Sequence, residues 1–117
     1  MELGNAVLGD TPMLVATGAI DESTCGILQA ALDKKYESGH NVIFLDFSNV
    51  SHIDSAGLSV LVAGVRALHG RGWLGVIAPN VEIHRLMEIE GLIGHPNVRV
   101  FKNRQAALVA TGERAST

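Results

Sequence analysis

Two patterns of apolar residues alternate along this 117-residue chain: continuous apolar runs, and apolar residues spaced three to four positions apart. This alternation limits the possible folds more than any other feature of the sequence. Continuous β-branched and aromatic runs, such as residues 42–47, are typical of strands that are covered on both faces. Between such runs, apolar residues recur every three to four positions, which is typical of amphipathic helices. Strands that alternate with helices predict a mostly parallel sheet with right-handed crossovers.

The chain begins with a predicted hairpin. Short apolar runs at residues 6–8 and 13–17 flank the turn-forming residues 9–12, so we expect two antiparallel strands at one edge of the sheet. Further strands are predicted at residues 73–78 and 98–101. Together with the strand at residues 42–47, they predict a mixed sheet of four to five strands.

The first helix is predicted from its ends and its apolar stripe. Asp21 is the expected N-cap, with Glu22 in the first turn, where the helix dipole favours a negative charge. Gly39 is the expected stop at the C-terminal end. The apolar stripe between these ends comprises Cys25, Leu28, Leu32 and Tyr36.

Three later helices complete the pattern. The helix predicted over residues 56–69 is rich in small residues, and we expect its Val60 and Gly64 to pack against the rest of the protein. Pro79-Asn80 is the expected start of the third helix, and Asn103 is the expected cap of a short final helix. The resulting order, β-β-α-β-α-β-α-β-α, predicts one α/β domain.

We expect a folded core over residues 5–110 and a frayed polar tail over residues 111–117.

The net charge, the length of the uncharged runs and the cysteine content exclude several classes of protein. A formal net charge of −3 provides no basic stripe for phosphates, which argues against direct binding of nucleic acid. No uncharged run approaches the roughly 20 residues that membrane insertion requires. The single cysteine, Cys25, excludes an intrachain disulfide; because the first residues do not resemble a signal peptide either, we expect a cytoplasmic protein.

One segment, residues 51–58, joins a buried strand to a buried helix and could carry the function. Asp54 or Ser55 is the natural N-cap of that helix. Because a helix N-terminus has free N–H groups and a favourable dipole, it tolerates an anion. A phosphate on Ser55 would therefore change the surface without unfolding the domain. The alternative is that Ser55 serves only as a helix cap.

The central motif, Asp54-Ser55-Ala56-Gly57-Leu58, resembles the signature of the anti-sigma factor antagonists, which are STAS domains. The resemblance extends over about residues 13–110. It implies a single STAS domain, with a mixed sheet and helices mainly on one side. This chain has Ala56 where many members have a second hydroxyl residue, and Ala19 where many have an acidic one.

The resemblance also implies a mechanism. The serine after the motif aspartate, here Ser55, would accept a phosphate from a partner serine kinase, a histidine-kinase-like ATPase that is itself the anti-sigma factor. The unphosphorylated antagonist binds that kinase and frees the sigma factor, and a metal-dependent serine phosphatase restores this form. The expected partner-binding residues are Asp21, Asp54, Ser55, Ala56, Gly57 and Leu58. We expect Asp54 either to orient the Ser55 hydroxyl or only to cap the helix.

Two other interpretations compete with this one. A hydrolase could use His52, Asp54 and Ser55, but neighbouring residues at one strand end rarely converge as a triad, and no Gly-x-Ser-x-Gly motif is present. We therefore expect no enzyme activity. The five histidines form no His-x₃-His pair and no cysteine–histidine cluster, so we expect no metal, and no Gly-x₄-Gly-Lys-Ser/Thr motif indicates a nucleotide cofactor. The stronger rival keeps the fold and makes the chain a STAS subunit of a stress-signalling assembly or of a lipid transporter. The identity of the partner would distinguish the two roles, because fold alone does not determine function.

Overall fold

Residues 1–111, which the computed structural model describes, contain one five-stranded sheet in the order β1-β2-β3-β4-β5. Strands β1 and β2 are antiparallel, and every other neighbouring pair is parallel. The predicted element order and mixed sheet are confirmed. The strands are β1 (Glu2–Leu8), β2 (Thr11–Ile20), β3 (Val42–Ile53), β4 (Trp73–Ile77) and β5 (Val98–Phe101). The helices are α1 (Cys25–Glu37), α2 (Ser55–Ala67), α3 (Val81–Ile89) and α4 (Arg104–Ala110).

The opening hairpin is longer and tighter than the sequence pattern predicts. Its turn consists of Gly9 and Asp10 alone, and Gly9 has a φ of +63°, a conformation that glycine adopts without strain. Thr11 and Leu8 already pair across the hairpin. Strand β2 therefore includes Thr11 and Pro12, which the sequence pattern predicts as part of the turn.

Apolar side chains cover both faces of the sheet, but three of the four helices pack on one face. Leu28 of α1, Leu61 of α2 and Met87 of α3 belong to the main core against that face. The opposite face holds a smaller cluster, to which α4 contributes Ala107. This arrangement confirms the expected placement of helices mainly on one side. It also explains the uninterrupted run of strand β3, since Ile43, Phe44, Leu45, Asp46 and Phe47 are all buried.

The beginning of α1 corrects the prediction for Asp21. The helix begins at Cys25 with Thr24 as its N-cap residue, so Glu22 precedes the helix. The Asp21 carboxylate instead accepts hydrogen bonds from the Ser23 N–H at 3.0 Å and the Thr24 hydroxyl at 3.1 Å. An aspartate side chain that bonds two residues ahead forms an Asx turn, which competes with helix capping.

The other predicted helix ends are confirmed. The side chains of Asp54, Asn80 and Asn103 cap α2, α3 and α4 by accepting hydrogen bonds from backbone N–H groups. Gly39 follows α1 with a φ of +85°, as its role as a stop requires. At the C-terminal end, Thr111 is the C-cap of α4, and the rest of the predicted tail, residues 112–117, lies outside the described residues.

The packing of α2 agrees with the small-residue prediction. Val60 and Gly64 are buried, whereas Ala63 and Ala67 on the same helix are exposed. A Cβ atom at Gly64 would lie 2.5 Å from the hydroxyl oxygen of Tyr36 in α1, so α2 leaves no room for a side chain at this contact with α1. No helix within residues 1–111 is long and apolar enough to span a bilayer.

A buried carboxylate, which the sequence analysis did not single out, joins α4 to the sheet. The side chain of Asp46 in β3 is 2% exposed, and its Oδ2 accepts hydrogen bonds from Nη2 and Nε of Arg104 at 2.7 and 2.8 Å. Its Oδ1 accepts from the Ser48 N–H and hydroxyl. Burial alone would raise the pKa of Asp46, but the Ser48 hydrogen bonds and the Arg104 guanidinium outweigh burial and lower that pKa.

We predict that Asp46→Asn lowers the free energy of unfolding at pH 7 by about 1–3 kcal/mol, because Arg104 loses a charged partner. A lowered folded-state pKa stabilises the fold above the ordinary carboxyl pKa of about 4, and this contribution disappears as the pH falls through the folded value. Urea denaturation at pH 7 and pH 3 should therefore show a smaller difference between variant and wild type at pH 3.

Asp33→Asn provides the control, because Asp33 is an exposed aspartate of α1. We expect it to change the stability at pH 7 by less than about 0.5 kcal/mol. If Asp46→Asn lowered the free energy of unfolding by the same amount at pH 7 and at pH 3, a stabilising role for the ionised carboxylate would be contradicted.

Candidate functional site

The candidate site lies where β2 and β3 end side by side. The two strands are parallel, and Ile20 pairs with Ile53 at their carboxyl ends. Asp21 directly follows β2 and Asp54 directly follows β3, so each residue begins a connection from a strand to a helix. The two connections are neighbours because the two strands are paired. This topology brings the predicted Asp21 and the central motif into one region.

The Asp54 carboxylate holds the two connections together. Its Oδ1 accepts a hydrogen bond from the Gly57 N–H at 3.0 Å, which caps α2. Its Oδ2 accepts from the Glu22 N–H at 3.1 Å, and its own N–H donates to the Ile20 carbonyl at 3.1 Å. Of the two roles expected for Asp54, this geometry shows the cap and adds a link to the β2–α1 loop.

Ser55 is the first residue of α2 and is exposed. Because Asp54 occupies the N-cap position, the alternative that Ser55 is the cap does not describe this helix. Within residues 1–111 the Ser55 hydroxyl has no hydrogen-bond partner, and its carbonyl accepts from the Ser59 hydroxyl at 2.9 Å. The hydroxyl thus faces solvent at the positive end of a helix dipole.

The remaining motif residues differ in how much surface they offer. Gly57 is buried, and a Cβ there would lie 2.6 Å from Ile53 Cγ1 and 2.9 Å from the Ile20 carbonyl oxygen. Leu58 is 6% exposed and belongs to the core. Ala56 is half-buried. Gly57 and Leu58 therefore pack beneath the site, and Ser55 is the most exposed residue of the motif.

Asp21 contributes a fixed negative charge at the edge of the site. The hydrogen bond from the Ser23 hydroxyl, at 2.7 Å, is the main cause that holds the pKa of Asp21 below its ordinary value. Desolvation acts in the opposite direction, and a further hydrogen bond from Thr24 supports the lowering. The Asx turn thus fixes the carboxylate while the loop itself is held by Asp54.

Two grooves meet at Ser55 and Leu58, and the sequence analysis did not identify them. The first, with a volume of about 370 Å³, runs along α2 past Val62 and Arg66 to Glu90. The second, about 450 Å³, runs towards α3 and is lined by His52, Ile53, Asp54, Glu82, Leu86 and Glu90. No local pattern reveals these grooves, because α2 and α3 become neighbours only in the folded sheet.

The histidines do not form a catalytic or metal-binding cluster with this site. Nδ1 of His52 lies 3.2 Å from Oε1 of Glu82, and both side chains are more than half exposed. Such surface pairs contribute little to stability. Within residues 1–111, no group of three histidine, cysteine or acidic side chains could hold a metal ion. Around Ser55 the described residues present an exposed hydroxyl, the Asp21 carboxylate and two grooves.

Comparisons with known proteins agree with this description. The family model described as "Mlab, STAS domain" matches residues 4–95. A proposed anti-sigma factor antagonist from Thermotoga maritima has a similar fold, with a TM-score of 0.85, 20% identity and 95% of each chain covered. An anti-sigma factor antagonist from Mycobacterium paratuberculosis has a TM-score of 0.83 at 21% identity, covering 96% of this chain and 94% of that one.

A third structure also has a similar fold. The Bacillus cell fate determinant SpoIIAA in its phosphorylated form has a TM-score of 0.73 at 16% identity, covering 93% of this chain and 99% of that one. At these identities the structures establish the fold alone. No curated protein sequence matches this chain significantly.

We predict that Gly57→Ala destabilises the protein by about 1–3 kcal/mol, because the new methyl group must displace Ile53 or Ile20. Gly26→Ala is the matched control, since Gly26 of α1 has open space around its Cβ position. We expect that control to be neutral or up to about 1 kcal/mol more stable. Urea denaturation measures the free energy of unfolding of both variants. Equal values for Gly57→Ala and Gly26→Ala would contradict close packing at Gly57.

We predict that Asp54→Ala lowers stability by about 1–2 kcal/mol through loss of the cap. Hydrogen exchange should accelerate at the amides of both Gly57 and Glu22. Asp54→Asn has only one carbonyl acceptor in its side chain and should protect only one of these amides. Asn80→Ala, which uncaps α3, is the control. If Glu22 exchanged at the wild-type rate in Asp54→Ala, the link to the β2–α1 loop would be refuted.

Proposed function

This chain belongs to the STAS domain family, and from that premise we propose that it is an anti-sigma factor antagonist controlled by phosphorylation of Ser55. The unphosphorylated form binds an anti-sigma factor kinase of the histidine-kinase-like ATPase type and frees the sigma factor. Phosphorylation releases the kinase, and a metal-dependent serine phosphatase reverses the modification. The chain itself acts in the cytoplasm as a binding protein without catalysis.

The exposed Ser55 hydroxyl at the start of α2 is the observation that carries this proposal. It has no hydrogen-bond partner within the described residues, so a kinase would not have to break an existing contact to reach it. The preceding residue, Asp54, fixes the first turn of α2 through the Gly57 N–H and links it to the β2–α1 loop through the Glu22 N–H. A substrate serine held on a rigid element is presented in one geometry, which favours transfer of a phosphoryl group.

The local charges explain how a phosphate could stop binding without unfolding the domain. It would add about −1.5 to −2 charges at a helix N-terminus, where the dipole stabilises an anion. The same phosphate would face the ATP phosphates of a bound kinase and repel them in a partly desolvated interface. Asp21 adds a further negative charge at the edge of the site.

The size of the effect is sufficient for a switch. A hundredfold loss of affinity requires only about 2.7 kcal/mol. Like charges that are brought together in an interface cost several kcal/mol. The proposal therefore needs no conformational change in the antagonist, and the close packing around Gly57 and the burial of Leu58 support this.

A second candidate function is a non-enzymatic STAS subunit of a larger assembly. One observation favours it: the description of the family model that matches residues 4–95 reads "Mlab, STAS domain" and does not mention anti-sigma factor antagonists. In that role the grooves beside Ser55 would bind a transporter or a stress-signalling assembly. Ser55 would then be an interface residue without a regulatory phosphate.

We predict that wild type and Ser55→Ala, used as baits in a lysate of the source organism, recover a histidine-kinase-like ATPase. Ser55→Asp should recover about a hundredfold less, because its charge mimics part of the phosphate. With ATP added, wild type should become phosphorylated on Ser55 and be released, whereas Ser55→Ala stays bound. Mass spectrometry measures both the recovered partner and the modified residue.

Ser38→Asp is the control for an added negative charge away from the site, because Ser38 is exposed and follows α1, at the opposite end of the sheet from Ser55. Its cost is confined to the end of α1, where the Ser38 hydroxyl donates to the Lys34 carbonyl at 2.9 Å. It should recover the ATPase like wild type. Equal recovery by the Ser55→Asp and wild-type baits would contradict the switch. Recovery of the same transporter or STAS-assembly proteins by all four baits would favour the second candidate.

A further inference from the structure

Strands β1 and β5 form the two edges of the sheet, and the β1 edge lacks the usual protection against pairing with another strand. Natural edge strands are kept from such pairing by being short, by basic residues or proline, or by bulges. Strand β5 has only four residues and includes the exposed Arg99. Strand β1 has seven residues without proline, lysine or arginine, and its register with β2 is uninterrupted. It therefore offers a long and regular edge.

The pairing of β1 with β2 determines which backbone groups of β1 remain free. Along an antiparallel pair, residues that exchange hydrogen bonds with the partner strand alternate with residues whose N–H and C=O groups point away from it. Val7 lies opposite Pro12, which has no N–H, so Val7 belongs to the second kind. The alternation gives Asn5 and Leu3 the same orientation. Within residues 1–111 no strand pairs with the outer edge of β1, so the N–H and C=O groups of these three residues face outwards.

The same three residues also present apolar surface at this edge. Because side chains alternate along a strand, those of Leu3, Asn5 and Val7 lie on one face of the sheet. Leu3 packs against the main core, so this is the face that three of the helices cover. Val7 is nevertheless 66% exposed. A further strand beside β1 would therefore cover an apolar side chain as well as pair the free backbone groups.

A second copy of this chain satisfies these groups in one antiparallel register. When Asn5 lies opposite Asn5 of the other copy, Leu3 of each copy lies opposite Val7 of the other, and every outward N–H and C=O group has a partner. A shift by one residue places outward groups opposite groups that already bond to β2. A shift by two residues places either Val7 or Leu3 opposite a residue outside β1.

The side chains are compatible with this register. Leu3 and Val7 form an apolar pair across the two copies, and such cross-strand pairs stabilise sheets. The one charged residue of β1, Glu2, lies opposite Leu8 of the other copy. No two like charges of the strands therefore face each other directly, which would oppose pairing.

We infer that two copies of this chain associate by antiparallel pairing of their β1 strands, which joins the two five-stranded sheets into one continuous sheet. The two-fold axis passes beside Asn5, and the same surface of each copy forms the contact, as in other closed dimers. Because one strand from each copy supplies most of the contact, the interface is small and the dimer forms only at high protein concentration. No residue of β1 lines the grooves at Ser55, so the inference does not rest on the Ser55 switch.

Sedimentation equilibrium and nuclear magnetic resonance of the wild-type chain test the dimer and its register. We expect a monomer–dimer equilibrium with a Kd below about 1 mM. In a mixture of ¹³C-labelled and unlabelled protein, a filtered Overhauser experiment should detect a contact between the Hα atoms of Gly4 and Ala6 in different copies. These residues form a non-hydrogen-bonded pair in the proposed register, with Cα atoms about 4.5 Å apart.

Two variants of Asn5 separate backbone pairing from side-chain contacts. Asn5→Pro removes an outward N–H and no hydrogen bond to β2, and proline is tolerated at such edge positions. It should weaken dimerisation at least about tenfold, which corresponds to about 1.4 kcal/mol. Asn5→Ala keeps the N–H and is the matched control, and we expect its Kd to lie within about twofold of the wild-type value.

Three outcomes would overturn the inference. The wild-type chain could sediment as a monomer at every concentration up to about 1 mM. A dimer could form without the contact between Gly4 and Ala6, or Asn5→Pro could dimerise like wild type. The first two measurements use the wild-type chain alone, so they hold whether or not the proline variant folds.

Discussion

The Asp54 carboxylate bridges two backbone segments that are far apart in the sequence, and the candidate site depends on this bridge. One oxygen accepts from Gly57 and fixes the first turn of α2, while the other accepts from Glu22 and fixes the β2–α1 loop. Within residues 1–111 no hydrogen bond joins this carboxylate to the Ser55 hydroxyl, so in this structure Asp54 fixes the helix backbone and does not hold the hydroxyl. Ser55 is thereby left exposed on a rigid support.

Local signals account for the part of the fold that the sequence predicts correctly. The caps Asp54, Asn80 and Asn103 act over three residues, and the strand and helix periods also arise within single elements. Asp21 shows the limit of such signals, because an Asx turn and a helix cap use the same side chain and only the packed loop selects between them.

Contacts between distant segments account for what the sequence could not predict. Asp46 and Arg104 are separated by 58 positions, and no pattern around either residue identifies the other as its partner. The grooves beside Ser55 need α2 and α3 side by side. The motif therefore locates Ser55, whereas the surroundings that a partner would contact emerge only from the tertiary structure.

On our proposal, a phosphate on Ser55 changes the surface charge and leaves the fold intact. This can be tested by comparing the free energy of unfolding of protein carrying phosphoserine at position 55 with that of the unmodified protein. We expect the two free energies to lie within about 1 kcal/mol of each other, because the helix N-terminus stabilises the added charge. A loss of more than about 2 kcal/mol would contradict it, since the phosphate would then act by disrupting the fold.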